Sequence, residues 1–413
     1  MGGSIMASTI NSDTSNGVVI TPDTSGEIEL QSAGVTKAKI TSNGLQNASG
    51  SAITSQAGRN LIINGNMGTS QRGTSFTGLT GISYNLDRWE TTAYTMTGGQ
   101  YQVDQSTDAP EGFAYSQKIS CTTAHTQDVN NQFYIQQQIE GVNSSQLNYF
   151  VASPDTVTLS FWVKANLTGS YTCALKLSDN GSTENNTSTR VYNTTYSISS
   201  ADTWEKKTVT IVLDSAVGDV QVVDNRFAVS VQWWLGAGTS RDGAAADSWL
   251  NYGNATTTAD NLDLLGSTSN EWYITGVQLE ATTGSATPFE HLQYGQQLAL
   301  CQRYFQSSWS QGSAVGSAVS ITTNSVQQSW GSLNAGIAGQ AFLLPVTMRT
   351  LPTLVVYDMA LTTGKVTTLG NGAAQTNNVS ANNSATTTNM FYVRLYANSV
   401  AGLAFAYTLT AEL

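Results

Sequence analysis

The side chains in this chain that could do chemistry are few, and the most suggestive are aromatic. Trp233 and Trp234 sit together in a strand-like run, Trp249 and Tyr252 follow, and Arg241, Asp242 and Asp247 fall between them. An aromatic ring offers flat apolar area to the C–H face of a sugar, while nearby amides, carboxylates and charged groups fix its hydroxyls. Successive residues of a strand point to opposite faces, so at least one of Trp233 and Trp234 is expected to point away from the core. The competing arrangement has both packed, one in the core and one against a neighbouring subunit. Trp309, Trp330 and Tyr357 form a second candidate group beside the polar stretch Thr362–Asn389, read as a loop. Its run Asn377–Ser384 is rich in adaptable hydrogen-bonding groups.

Catalysis finds little to work with. The two histidines, His125 and His291, lie in no Ser, Cys or metal motif. His291, beside Phe289 and Glu290, reads as a structural contact. A glycosidase needs only two carboxylates about 5 to 10 Å apart, and Asp224, Asp242, Asp247 and Glu271 are the residues among which such a pair could form. No catalytic residue is assigned, and no fixed-period repeat of a β-helix is present. Cys121, Cys173 and Cys301 are widely spaced and odd in number, which argues against a disulfide framework or a zinc site.

Composition narrows the class. Of 413 residues only 11% are charged, against about 25% in ordinary globular proteins. Ser, Thr, Asn, Gln and 37 glycines fill the gap; these residues favour turns and short strands over helix interiors. A net charge of −11 without a basic run excludes binding to nucleic-acid phosphates as a main task. No window is apolar enough to insert into a membrane, and the first residues lack the pattern of a signal peptide. The expected setting is a virion, made in a host cytoplasm and working outside it.

The elements that must position these residues are strands. Residues 1–57 carry three short runs, Gly17–Thr21, Glu27–Gln31 and Lys37–Thr41, separated by the turn signals Asp23–Gly26, Ser32–Gly34 and Ser42–Gly44. So few apolar residues make no core alone, but three copies around one axis could; a flexible tail is the alternative. Residues 58–292 hold the alternating runs Val157–Val163, Trp204–Leu213, Arg226–Trp233 and Trp272–Glu280, which indicate a jelly-roll β-sandwich. Ser178–Thr189 and Gly236–Ser269 read as surface loops. Tyr294–Phe305 is the one helical run, with Leu298, Cys301 and Phe305 as its stripe, so residues 293–306 form a connecting helix. Residues 307–413 return to strands at Gln340–Leu344, Thr353–Tyr357, Met390–Tyr396 and Gly402–Leu409, a second, smaller β-sandwich. The fold class is therefore all-β.

Several fragments resemble a jelly-roll module found in bacteriophage structural proteins. They are Asn60–Asn66, Gln71-Arg-Gly73, Asp87-Arg-Trp89, Gly276–Glu280, Ala286–Glu290 and Tyr294–Phe305. Leu344–Pro352 and Gly402–Tyr407 look like the distal domain of phage tail fibres. The order of the fragments carries the likeness, each being weak alone. The resemblance implies a homotrimeric fibre or spike in a virion, a carbohydrate-binding-module-like fold, and attachment to a host-cell glycan. The N-terminal segment would dock onto other virion proteins. A purely structural virion protein and a glycan-degrading tailspike are the alternatives. Relatives of this fold can hold a structural calcium through a carboxylate on the closing strand; here Gly276 stands near that place, so no metal ligand and no cofactor is assigned.

Overall fold

The computed structural model describes residues 28–32, 35–41, 44–47, 58–179, 189–216, 219–253, 257–258, 262–281, 285–320, 322–333, 336–370, 373–397 and 400–413. The run Gly17–Thr21 and the turn Asp23–Gly26 lie outside them. The chain separates into two compact units, Met1–Gly58 with Ser285–Pro288, and Arg59–Gly284 with Phe289–Leu413.

In the first unit, β1 (Ile28–Ser32), β2 (Val35–Thr41) and β3 (Gly44–Asn47) form an antiparallel meander in that order. Leu30, Val35 and Ile40 are exposed along it, as expected for strands too short to enclose a core between themselves.

The second unit opens with β4 (Ser75–Leu79), β5 (Ser83–Tyr84), β6 (Glu90–Tyr94), β7 (Gln100–Ser106), β8 (Ser116–Thr123) and β9 (Gln132–Glu140). After a one-turn helix α1 (Gly141–Ser144) come β10 (Thr156–Ala165), β11 (Gly169–Ser178), β12 (Thr189–Ile198), β13 (Glu205–Val212), β14 (Phe227–Ala237), β15 (Ser248–Asn251) and β16 (Glu271–Ala281). These make two antiparallel sheets. One has six strands in the order β13-β10-β16-β8-β7-β4, the other seven in the order β15-β12-β11-β14-β9-β6-β5. Their inner faces follow from period-2 patterning. Val157, Leu159, Phe161 and Val163 of β10 face inward as the sequence predicts, against Cys173 and Leu175 of β11 and Val229, Val231 and Trp233 of β14 in one continuous core. Trp233 lies 5.7 Å from Trp89 and 5.4 Å from Phe161 between ring centroids.

The rest of the unit is α2 (Tyr294–Gln302) followed by β17 (Phe305–Ser307), β18 (Val326–Leu333), β19 (Gly336–Leu343), β20 (Thr353–Tyr357), β21 (Lys365–Gly370), β22 (Ala373–Thr387), β23 (Met390–Ala397) and β24 (Val400–Thr410). β24 is the spine. Its first half pairs with β18 and β21, and its second half with β17 and β20. Phe391, Val393, Leu403, Phe405 and Leu409 fill the core of this second body.

Three expectations are corrected. The helix ends at Gln302, and Phe305 already belongs to β17. The helix buries Gln297 and Cys301, while Leu298 is only half-buried. Second, Thr362–Asn389 is no loop: β21, all of β22 and the turn into β23 lie there, and Asn377–Ser384 falls within a 15-residue strand. β22 is hydrogen-bonded to β21 on one side and β23 on the other, so backbone pairing fixes it whatever its side chains. Third, Gly236–Ser269 contains β15 and a 3-10 turn at Leu264–Gly266. Of Ser178–Thr189, Ser178 at the end of β11, Asp179 and Thr189 at the start of β12 are described.

Residues of the fragments Asn60–Asn66, Gln71–Gly73, Asp87–Trp89 and Tyr294–Phe305 meet at the joint between the sandwich and the second body. Asn64 exchanges hydrogen bonds with the backbone of Thr69, donates to Asp87 O, and its own carbonyl accepts from Trp89 Nε1 at 3.0 Å. A Cβ on Gly65 would collide with the Val277 carbonyl. Gln71 donates from its backbone and side chain to the Asp87 carboxylate, and also to Phe305 O at 2.9 Å. Arg72 and Arg88 both reach Glu412, just beyond β24, and Arg88 also donates to Gln138 O. Arg72 lies over the Phe305 ring at 3.7 Å and Arg88 over the Tyr304 ring at 3.5 Å. Arg303 grips Glu140 through two bonds of 2.8 and 2.7 Å. Burial works against the Arg88 charge, but Glu412 together with Tyr304 and Tyr84 more than offsets it and holds the guanidinium above its usual pKa.

Removing one partner of a buried ion pair leaves an uncompensated charge, at about 3–5 kcal/mol. Glu412→Gln is therefore expected to lower the free energy of unfolding by several kcal/mol in a denaturant titration. An unchanged midpoint would show that the cluster contributes no net stability.

Candidate functional site

A cleft of about 330 Å³ opens on the outer face of the seven-stranded sheet, lined by Ile82, Glu90, Thr92, Tyr94, Gln132, Tyr134, Arg241 and Tyr252. That volume is at the lower end of the roughly 300–1,000 Å³ of small-molecule sites. Its walls come from three elements. On β6, Glu90, Thr92 and Tyr94 alternate with the inward Thr91 and Ala93, so one face presents a carboxylate, a hydroxyl and a ring in sequence. On β9, Tyr134 sits opposite Thr92 and Gln132 opposite Tyr94. The third wall is the segment after β14.

That segment is held by its own backbone. Arg241 N donates to Gly238 O, Thr257 N to Arg241 O and Ala244 N to Thr257 O, each at 2.8 to 2.9 Å. Ser240 N and Gly238 N anchor it to Val129 O and Asn131 O. Gly238 is required by close approach: a Cβ there would collide with the Asp128 carbonyl. Tyr252 N donates to Thr189 O at 2.8 Å, and its ring lies 4.8 Å from Lys176 Nζ.

Glu90 is oriented from behind by a row of amides across three strands. Gln232 Nε2 donates to Gln136 Oε1 at 2.7 Å, Gln136 Nε2 to Glu90 Oε1 at 2.9 Å, and Thr92 Oγ1 to the same oxygen at 2.7 Å. The three residues are cross-strand neighbours, Gln232 opposite Gln136 and Gln136 opposite Glu90. Hydrogen bonds in a chain polarise one another, and charge-assisted donors hold the carboxylate in place. Tyr84, next to Glu90, has its pKa pushed well up by burial, with Glu90 and Glu412 adding to the effect.

Tyr94 and Ile82 stand at the mouth, 52% and 63% exposed. The cleft thus offers aromatic faces, a fixed acceptor, amide and hydroxyl groups and one guanidinium. Among the described residues no group of three or more His, Cys, Asp or Glu side chains could hold a metal ion.

Of the residues singled out in sequence, Tyr252 and Arg241 reach this cleft. Trp233 does not: it is enclosed in the sandwich core. Trp234 does point to the opposite face, but it is only 1% exposed, packed 4.6 Å from the Tyr134 ring with Ala174, Val191 and Leu250. It backs the cleft without lining it, because Tyr134 and Leu250 pack against it. Trp249 packs on the edge of the core near Tyr192, its Nε1 donating to Val212 O. Asp242 accepts from Gly243 N, and Asp247 from Thr194 Oγ1. Trp309 and Tyr357 pack edge-to-face at 5.4 Å with Val319 and Ala406, so Trp309 is buried structure, not a contact surface. The side chain of Trp330 lies outside the described residues.

The carboxylates weighed for hydrolysis have separate partners. Asp224 is held below the usual carboxylate range by the backbone and side chain of Arg226. At Glu271 burial is outweighed by Lys118 and Tyr273, and its pKa is lowered as well; a general acid requires the opposite shift. Gly276 sits at a bulge with φ +61°, and a Cβ there would lie 2.6 Å from Phe113 and 2.9 Å from Trp162. Phe113, Phe289 and His291 pack together beside it, at centroid separations of 4.9 to 5.5 Å, so this part of the closing strand serves aromatic packing.

Glu90, Thr92, Tyr94, Gln132 and Tyr134 were missed in sequence. Their signal is the alternation within Glu90–Tyr94 and Gln132–Gln136, which marks a face but not which face is open.

No family model and no curated protein matches this chain. Several solved structures align with part of this chain. The enzymatically active domain of bacteriophage CBA120 tailspike protein 4 aligns over 54% of this chain and 22% of that one, with 10% identity and a TM-score of 0.29. A family 11 carbohydrate-binding module from Clostridium thermocellum, in complex with a mixed-linked tetrasaccharide, aligns over 53% and 99%, with 10% identity and a TM-score of 0.27. The carbohydrate-binding module TmCBM61, in complex with β-1,4-galactotriose, aligns over 54% and 99%, with 12% identity and a TM-score of 0.26.

Gly238→Ala is expected to dislodge residues 238–244, and Thr257 bonded to them, while leaving the sandwich folded. Hydrogen exchange should show faster exchange at Ser240, Arg241 and Thr257 with protection of β14 kept; unaltered exchange there would contradict the close-approach argument.

Proposed function

We propose that the cleft on the seven-stranded sheet binds a saccharide, and that the chain is the glycan-binding part of a bacteriophage virion appendage that attaches the particle to its host. The observation that carries the saccharide reading is the exposed Tyr94 ring and Tyr252 flanking Glu90, Thr92, Gln132 and Arg241 in one cleft. Rings take the apolar face of a pyranose, and fixed acceptors and donors take its hydroxyls. The virion setting rests on the motifs of the sequence and on a composition poor in charge. The β1–β3 segment, with its exposed apolar residues, is proposed to assemble three chains, so that weak single sites act together.

Binding of the purified protein to a glycan array and to host polysaccharide tests the saccharide reading. Truncating a ring at the centre of a site costs about 2 kcal/mol or more, or more than tenfold in affinity. Tyr94→Ala and Tyr252→Ala are each expected to show that loss with melting temperature preserved. Wild-type affinity in both variants would move the site elsewhere. Light scattering should give three times the chain mass for the full-length protein, falling to one when residues 1–57 are removed; a monomeric full-length protein overturns the trimer.

A further inference from the structure

Most arginines of the second unit are engaged. Arg59, Arg72, Arg88, Arg190, Arg226 and Arg303 lie against carboxylates. Arg349 donates to the backbone carbonyls of Ala411, Asn225 and Glu412. Arg394 lies over the Tyr392 ring. Arg241 differs. Among the described residues its side chain has no ion pair and no hydrogen bond, and its Nε is shut off from solvent without a partner. The buried Nε of this half-buried side chain forgoes both hydration and pairing, which is unfavourable until something in the cleft accepts from it.

The opposite wall is arranged the other way. Glu90 is supplied with donors by Gln136 and Thr92, so its charge is fixed in place and is not spent on Arg241. The cleft therefore holds a cationic group, Arg241, and an anionic one, Glu90, together with the rings of Tyr94, Tyr134 and Tyr252. A uniformly neutral sugar would leave the guanidinium without its strongest partner, and a multiply anionic ligand would meet Glu90. A hexuronate matches both: its pyranose ring carries a carboxylate on C5 and, across the ring, the C2–C3 diol. The guanidinium fork takes a carboxylate through two parallel hydrogen bonds, while the diol donates to Glu90.

We infer that the saccharide recognised here contains a hexuronic acid, its carboxylate held by Arg241 and its diol turned toward Glu90. This rests on the saccharide reading above. The test compares glucuronate-, galacturonate- and mannuronate-containing oligosaccharides with the same compounds after chemical reduction of their carboxyl groups. Calorimetry on the full chain is expected to show at least tenfold tighter binding of one uronate form than of its reduced counterpart. Arg241→Gln, with its melting temperature checked, should abolish that difference by weakening the uronate form at least tenfold more than the reduced form. Arg241→Lys should restore part of it, since charge returns without the fork. Equal binding of both forms, still dependent on Tyr94 and Tyr252, overturns the uronate inference and leaves the saccharide reading intact. A loss in Arg241→Gln that is equal for both forms also overturns it, showing a merely structural arginine. Binding of neither form, nor of any neutral glycan, removes both readings.

Discussion

Arg88 enters the sandwich at a left-handed backbone position, φ +72°, and is carried to the boundary of the second body, where Glu412 meets it. Its guanidinium is 1% exposed and lies on the Tyr304 ring. A charge so placed costs several kcal/mol to bury unless it is paired and hydrogen-bonded. The neighbouring architecture supplies those partners: Glu412 after β24, the Gln138 carbonyl on β9, and Arg72, which shares Glu412 and is steadied by Phe305. Asp87 is satisfied in turn by Gln71, although burial still raises its pKa. The apolar cores could each form under looser constraints. The relation between the two bodies could not, because it is specified by groups that tolerate only one geometry.

The same polar economy governs the outer face of the seven-stranded sheet. A sheet with one face on the core and one in water would show polar residues outward and exposed. Here Thr172, Lys176, Ser230, Gln232 and Gln136 point outward and are nonetheless buried, beneath the segment after β14 and its neighbours. Buried amides must bond to one another, and the row from Gln232 through Gln136 ends on Glu90. The scarcity of charge noted in the sequence thus reappears as the material of the cleft. Neutral groups carry hydrogen bonds across the sheet, and the few ionic groups are placed where their charge has a specific partner or awaits one.

The fold was legible where period-2 alternation was strong. β10, β14 and β16 were found from spacing, and even the short β1 and β2 showed through. β22 was not, since its Asn, Ser and Thr residues read as loop and only pairing on both edges makes it a strand. The site was half legible. Tyr252 and Arg241 drew attention as an aromatic and a charged residue in one long connection. Trp233 and Trp234 misled because alternation predicts two faces but cannot say that both are covered. Glu90 and Gln136 stand 46 residues apart in the chain, and register between strands is decided by tertiary structure.

The Arg88–Glu412 contact spans 324 positions of sequence. A sandwich cut free at α2 would keep its apolar core but carry two cations facing an empty socket, so it is not a freely portable cassette. Grafting a different second body onto it would succeed only if the newcomer delivered a carboxylate to the same spot and backbone carbonyls to Arg349. Exchange of parts between chains of this architecture is thereby filtered by electrostatic fit at the seam, long before any question of what the cleft recognises.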